Sequence, residues 1–182
     1  ICKKLRVPKN GVTTARLLEL ESSGFLARDY VYSTHGTQTK FSRYRINDNY
    51  LRFYLKYISP QKNRIEKGLF DLKSLESLPQ WDTLMGLQFE NTLLHNLLPV
   101  LDLLKINHNS VVSASPYFQK KTARNKGGCQ IDLLVSTRAS VIYVCEFKFR
   151  KKIGMEVVRE VERKIRVLDR PKAYSVRPIL VY

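Results

Sequence analysis

Two carboxylates stand in stretches that otherwise read as core. Asp132 is the one charge in Ile131-Asp132-Leu133-Leu134-Val135, and Glu146 closes the apolar run Val141-Ile142-Tyr143-Val144-Cys145. Both stretches read as strands, where a carboxylate is costly unless a cation or hydrogen bonds compensate it. Two such placements in adjacent strands ask for a shared reason. Strand alternation puts Glu146 and Lys148 on one face. If Asp132 lies across from Glu146, two carboxylates and an ammonium converge. Glu90 adds a third acid, because at helical spacing it stands with Leu93, Leu94, Leu97 and Leu101 on the face expected to pack on the sheet. Carboxylate oxygens suit a hard cation, Mg²⁺ (or Mn²⁺), which combines one or two protein carboxylates with waters and substrate phosphate. Such an ion polarises a phosphodiester and helps generate hydroxide. Lys148 would then position or deprotonate the attacking water, or stabilise charge developing on phosphate. The plainer alternative is a structural ion pair between Glu146 and Lys148.

Periodicity supplies the elements that must hold these residues. Leu84 to Leu104 reads as a helix with Leu87, Leu93, Leu94, Leu97, Leu98 and Leu101 on its apolar face, kinked or split at Pro99. Val111 to Phe118, Cys129 to Ser136 and Val141 to Phe149 read as strands. Met155 to Leu168 reads as a helix with Val157, Val158, Val161, Ile165 and Leu168 inward. The charges of that helix (Arg159, Arg163, Lys164 and Arg166 among Glu156, Glu160 and Glu162) read as a salt-bridged exposed face. Arg177 to Tyr182 is a last strand, apolar and expected to be buried. The order from Leu84 onward is α-β-β-β-α-β. Basic residues flank the acidic centre: Lys120, Lys121, Arg124 and Lys126 on one side, Arg150, Lys151 and Lys152 on the other. A charge run is usually a solvated face, but beside an acidic phosphate-processing site it is suited to guiding a DNA backbone.

The composition shifts near Ser59-Pro60. Before it, Ala15 to Glu21 forms a helix with Thr13 or Thr14 near its cap and Ser23-Gly24 at its end. Arg28 to Tyr32 and Phe41 to Ile46 form a hairpin around the polar loop 33–40. Asp48-Asn49 caps a helix carrying Tyr50, Leu51, Phe53, Tyr54, Tyr57 and Ile58. The helix and basic hairpin, Leu5 through Ile46, resemble a winged helix-turn-helix whose first helix would lie upstream. Arg16, Lys40, Arg43 and Arg45 would contact phosphates, which position a protein without specifying sequence. The same fold also serves as a docking module.

Glu90, Asp132 and Glu146-Phe147-Lys148 in this order of elements resemble the PD-(D/E)XK nuclease superfamily, the restriction-endonuclease-like fold. The resemblance implies Asp132 and Glu146 as metal ligands, Lys148 as the catalytic lysine and Glu90 as an outer ligand through water. Ile131 replaces the Pro of the family name, and Gln130 is not the acid often found before this Asp. A narrower resemblance adds Tyr50-Leu51-Arg52-Phe53-Tyr54, Ile65-Glu66-Lys67-Gly68 and Gly86-Leu87-Gln88-Phe89-Glu90. Together these are similar to the C-terminal half of archaeal-type P-loop ATPases. That implies residues 1–58 as a truncated winged helix, 59–83 as a helical linker and 84–182 as a nuclease-like α/β (α+β) domain. It also implies an ATPase module, which would be upstream or absent, since no G-x-x-x-x-G-K-[ST] occurs here. The expected activity is metal-dependent DNA phosphodiester hydrolysis; the alternative is a non-catalytic DNA-binding, regulatory or protein-docking module with a vestigial site.

Composition agrees with a polyanion partner. Lys plus Arg number 32 against 16 for Asp plus Glu, a formal charge of +16, and 43% apolar residues suffice for a core. DNA is the first partner to expect, an anionic membrane surface the second. No apolar run reaches the roughly 18 to 20 residues that span a bilayer. With no initiator Met, the chain is expected to be part of a longer one. Cys2, Cys129 and Cys145 make neither a disulfide framework nor a zinc pair, and fit a reducing cytoplasm. His35, His95 and His108 are scattered and suggest no ligand set.

Overall fold

Asn10 opens the first long helix. Its side chain accepts the Thr13 N–H at 3.0 Å and caps α2 (Gly11–Ser22), which follows the short α1 (Cys2–Leu5). The cap is thus Asn10 rather than Thr13 or Thr14, whose hydroxyls instead donate to the Pro8 and Asn10 carbonyls. Gly24, at φ +78, turns the chain out of the helix. The hairpin strands β1 (Leu26–Tyr32) and β2 (Gln38–Ile46) pair with each other and run longer than the alternation alone suggested. Asp48 caps α3 (Asn49–Phe53) as expected, accepting the Leu51 N–H at 2.8 Å. A π turn, a 3₁₀ turn at Ser59–Gln61 and α4 (Lys62–Glu66) follow.

The computed structural model describes residues 2–72, 74–121 and 127–182. These fall into two compact units, Ile1–Asp29 with Arg43–Pro79, and Tyr30–Ser42 with Gln80–Tyr182. The hairpin tip groups with the second unit. There Gly36, at φ +82, lies so close to Val112 that a Cβ at this position would overlap the Val112 side chain.

The protein is a mixed α/β protein, and its second unit carries the larger sheet. The expected long helix is split into α5 (Trp81–His95) and α6 (Leu97–Leu103). Pro99 has no N–H to return to the His95 carbonyl, which accounts for the break at Asn96. β3 (Val111–Gln119), β4 (Cys129–Thr137) and β5 (Val141–Phe147) are antiparallel neighbours. α7 (Met155–Val167) then carries the chain over to β6 (Ser175–Val181), which is parallel to β5. The sheet order is β3-β4-β5-β6. β6 was expected to be buried; it is an edge strand, half-covered, with Ser175, Arg177 and Pro178 exposed. Both strand prolines, Pro116 in β3 and Pro178 in β6, lie on edges, where a missing donor is tolerated. The β3 register shifts at Pro116, between Ser115 and Tyr117.

The two faces of this sheet are both covered. Ile131, Leu134, Ile142 and Val144 pack with Val161 of α7 and Leu168 just after it on one side. Leu133, Val135, Cys145 and Phe147 pack with Val100 and Leu101 of α6 and with Phe89, Leu93 and Leu94 of α5 on the other. β4 and β5 therefore read as continuous apolar runs, because they are central strands with no solvent face. One inward assignment on α7 changes: Val158 is exposed, and Lys164 takes a buried place beside Val157 and Val161.

Ile142 is fully buried between β5 and α7. Ile142→Ala is expected to destabilise the protein by about 2–5 kcal/mol through lost burial and a residual cavity. Val158→Ala, on the exposed face, is expected to cost less than about 1 kcal/mol. Urea unfolding of the two variants measures the contrast.

Candidate functional site

The acidic centre is built where two central strands part. The β4–β5 ladder is paired from Ser136↔Ile142 to Leu133↔Cys145 and goes no further. Beyond that point Asp132 supplies the next bond from its side chain, its Oδ2 accepting the Phe147 N–H at 2.8 Å. β5 stays paired with β6 through Phe147↔Val181, and the Lys148 N–H donates to the Val181 carbonyl at 2.9 Å. One side of the Glu146–Lys148 segment is thus held as sheet while the other opens.

Glu146 follows Ile142 and Val144 on the α7 side and is 2% exposed. A carboxylate so buried requires compensation, and it has two ammonium partners. Lys148 Nζ donates to Oε1 at 2.7 Å and Lys164 Nζ to Oε2 at 2.6 Å. Glu160, one turn before Lys164 on α7, closes the set with Oε1 3.0 Å from Lys164 and Oε2 3.5 Å from Lys148. The result is a ring of two acids and two bases.

A cleft of about 940 Å³ opens over this end of the sheet. Glu90, Asp132, Glu146 and Lys148 all line it, so the expected acidic residues and lysine face one space. Arg150, Lys151 and Lys152 line it too. Phe149, just before them, meets Phe89 of α5 ring to ring at 5.8 Å and ties the segment to the helix.

Electrostatics set Asp132 apart. Burial first, then the Glu146 charge and, more weakly, Glu90, push its carboxyl up to about 7, against the lowering effect of the Phe147 N–H and Lys164. Burial disfavours the Lys148 ammonium, but the hydrogen bond to Glu146 and the charges of Glu146, Glu160 and Asp132 outweigh it and raise its pKa above the ordinary lysine value. Glu160 is likewise disfavoured by burial, yet its bonds and proximity to Lys164 and Lys148 lower it below the ordinary glutamate value.

Two of the expected acids present oxygen donors, the type a hard divalent ion takes. Asp132 and Glu90 offer oxygen ligands on the cleft, and a cation there would offset the burial and, after it, the Glu146 and Glu90 charges that raise Asp132. The fit is incomplete at Glu146, whose oxygens each carry an ammonium. Among the described residues, no group of three or more His, Cys, Asp and Glu stands close enough together to hold a metal.

The remaining expected cations are dispersed. Lys120 lines a separate hollow and sits 5.6 Å over the Phe41 ring, while Lys121 is exposed. Arg124 and Lys126 fall outside the described residues. Arg16, Lys40 and Arg43 are exposed in the helix and hairpin. Arg45 has a partner within the hairpin: its Nε donates to both Asp29 oxygens at 3.1 and 2.9 Å, with the side chain 19% exposed. The largest omission from the sequence is Lys164. Read there as part of an exposed salt-bridged face, it is buried, with 8% of its side chain exposed, and bound to Glu146. The spacing Val157, Val161, Lys164, Leu168 carried that signal, since those positions share one helical stripe.

No family model and no solved structure matches the chain. One relative is an uncharacterised protein, MJECL04, of Methanocaldococcus jannaschii, 35% identical over 57 residues. The match covers 31% of this chain and 12% of that protein. Among the described residues, no helix is long and apolar enough to cross a membrane.

The raised Asp132 pKa predicts a pH-dependent stability. An acid whose folded pKa lies above its unfolded value near 3.8 favours folding below that value and loses the contribution as pH rises towards 7. Asp132→Asn keeps an acceptor for the Phe147 N–H and removes the titration. With metal chelated, its Tm relative to the native protein is expected to be several degrees higher at pH 8 than at pH 4, since each pKa unit is worth about 1.4 kcal/mol. A pH series of thermal melts reads this directly.

Proposed function

We propose that residues 84–182 form a PD-(D/E)XK-type nuclease domain that hydrolyses DNA phosphodiesters with Mg²⁺ or Mn²⁺. In this reading residues 1–58 belong to a winged helix, and the chain is part of a larger cytoplasmic ATPase. The observation that carries the proposal is the convergence of Glu90, Asp132, Glu146 and Lys148 on one cleft, reached through the order α5-α6-β3-β4-β5-α7-β6.

Asp132, Glu146 and, through water, Glu90 would hold the ion. A divalent ion held there polarises the phosphodiester and favours hydroxide over water. Lys148 is the one ammonium of the ring that lines the cleft, so it stabilises charge developing on the phosphate or orients the attacking water. Arg150, Lys151 and Lys152 hold the backbone through charge, without reading bases. Phe149, in tilted ring contact with Phe89, keeps that basic segment against the mouth of the cleft.

The second reading is a DNA-binding or docking module that does not cut. It is favoured by Glu146 having each oxygen engaged by a lysine, so that the acid is neutralised within the protein.

Supercoiled and branched DNA, incubated with Mg²⁺ or Mn²⁺, is expected to be nicked by the native protein. Asp132→Ala and Lys148→Ala should each slow nicking by about 100-fold or more. Absence of cleavage by the native chain, alone or joined to its ATPase portion, would favour the second reading. DNA affinity should fall steeply with salt, because phosphate contacts release counterions; Arg150→Ala and Lys152→Ala should reduce that slope. A salt-independent affinity would remove DNA as the partner in both readings.

A further inference from the structure

We infer that Lys164 is a positioning residue for the site, the fixed counter-ion that keeps Glu146 in place while Lys148 is released to act in the cleft. The inference rests on the nuclease reading and extends it to a residue outside the D…ExK pattern.

Glu146 has two ammonium partners, and they are not equivalent. Lys164 reaches it from the α7 side of the sheet and has 8% of its side chain exposed. It does not line the cleft, and it is held at 2.6 Å by Glu146 and at 3.0 Å by Glu160. Lys148 lines the cleft with 22% of its side chain exposed, and its second contact, to Glu160, is the longer one at 3.5 Å. Two geometric consequences follow. A phosphate oxygen entering the cleft can draw Lys148 away without passing through the core, whereas Lys164 has no such route. When Lys148 leaves, Glu146 remains buried and needs the remaining ammonium to stay compensated. Without Lys164 the two demands conflict, because Lys148 would be the carboxylate's remaining ammonium partner and could leave it only at the cost of an uncompensated buried charge.

The α7 architecture supports a positioning role. Lys164 sits between Val161 and Leu168 on the stripe that packs on the sheet, and Glu160 one turn earlier holds its Nζ from the side. Its side chain is thereby restricted to one direction, towards Glu146. An ordinary surface i, i+4 pair such as Glu162–Arg166, at 3.7 Å with both side chains largely exposed, has no such constraint.

The test combines a spectroscopic measurement on the native protein with steady-state kinetics. In spectra of ¹⁵N-labelled lysine, the Lys164 ammonium is expected to exchange slowly with water and to keep its coupling to Glu146. Lys148 is expected to exchange faster. Adding MgCl₂, or a short DNA duplex in chelator, should shift Lys148 and leave Lys164 in place. In nicking assays Lys164→Met should lower kcat by about 10- to 100-fold, the scale of a small misplacement of reacting groups. KM for DNA should stay within about twofold, because Lys164 does not face the cleft. Lys164→Arg should recover part of the rate. Equal exchange of the two ammonium groups, or a Lys164 resonance that moves with Lys148, overturns the division of roles. So does a folded Lys164→Met variant that nicks at the native rate. A native protein that does not nick at all overturns the nuclease reading instead, and the exchange contrast still reports on which lysine is fixed. Should Lys164→Met fail to fold, the native-protein spectra and Lys164→Arg decide the matter.

Discussion

A glutamate carboxylate buried in the sheet, Glu146, sets the terms for the rest of the C-terminal unit. In water its charge would cost nothing; at 2% exposure it must be met by cations placed at bonding distance. Two elements are committed to that requirement. The chain just beyond β5 brings Lys148 back to it, and α7 presents Lys164 at 2.6 Å. The helix can do so because Val157, Val161 and Leu168 anchor the same stripe in the core. Packing and charge compensation therefore use one helix face, and a shift of α7 by one residue would lose both.

The opening between β4 and β5 is the complementary constraint. Had the ladder continued past Leu133↔Cys145, β5 would lie against β4 beside Asp132 and leave no opening there. Instead its oxygen takes the Phe147 N–H, the strands separate, and a cleft forms at the point of separation. The same bond fixes Phe147, and with it the spacing between Glu146 and Lys148. Fold and site are coupled through this one backbone donor.

Much of the central unit was legible along the chain. The apolar runs of β4 and β5 are long and uninterrupted, because both are covered on two sides, and that made Asp132 and Glu146 conspicuous. Pro99 announced the division between α5 and α6. The edges were harder to see: β6 reads as buried from Ile179-Leu180-Val181 alone, since an edge strand that still packs on one face carries the same residues as a central one. In the hairpin, Arg45 looked like any other exposed cation; its pairing with Asp29 depends on strand register, which sequence spacing does not specify.

Residue types and periods by themselves determined that the second half is α-β-β-β-α-β, with two acids and a lysine on neighbouring strands and a Glu on the packing helix. Those features are local: each needs only the alternation of a strand or the turn of a helix. The tertiary structure alone decided which cations meet which acids. Lys164 and Arg163 are adjacent on a helix of mixed charge, yet one is buried against Glu146 and the other exposed. The Val157, Val161 and Leu168 stripe marks Lys164 as the inward one of the two, but only the placement of α7 on the sheet gives it Glu146 as partner, because a buried ion pair forms where two surfaces meet. Neither surface records the other in its own sequence.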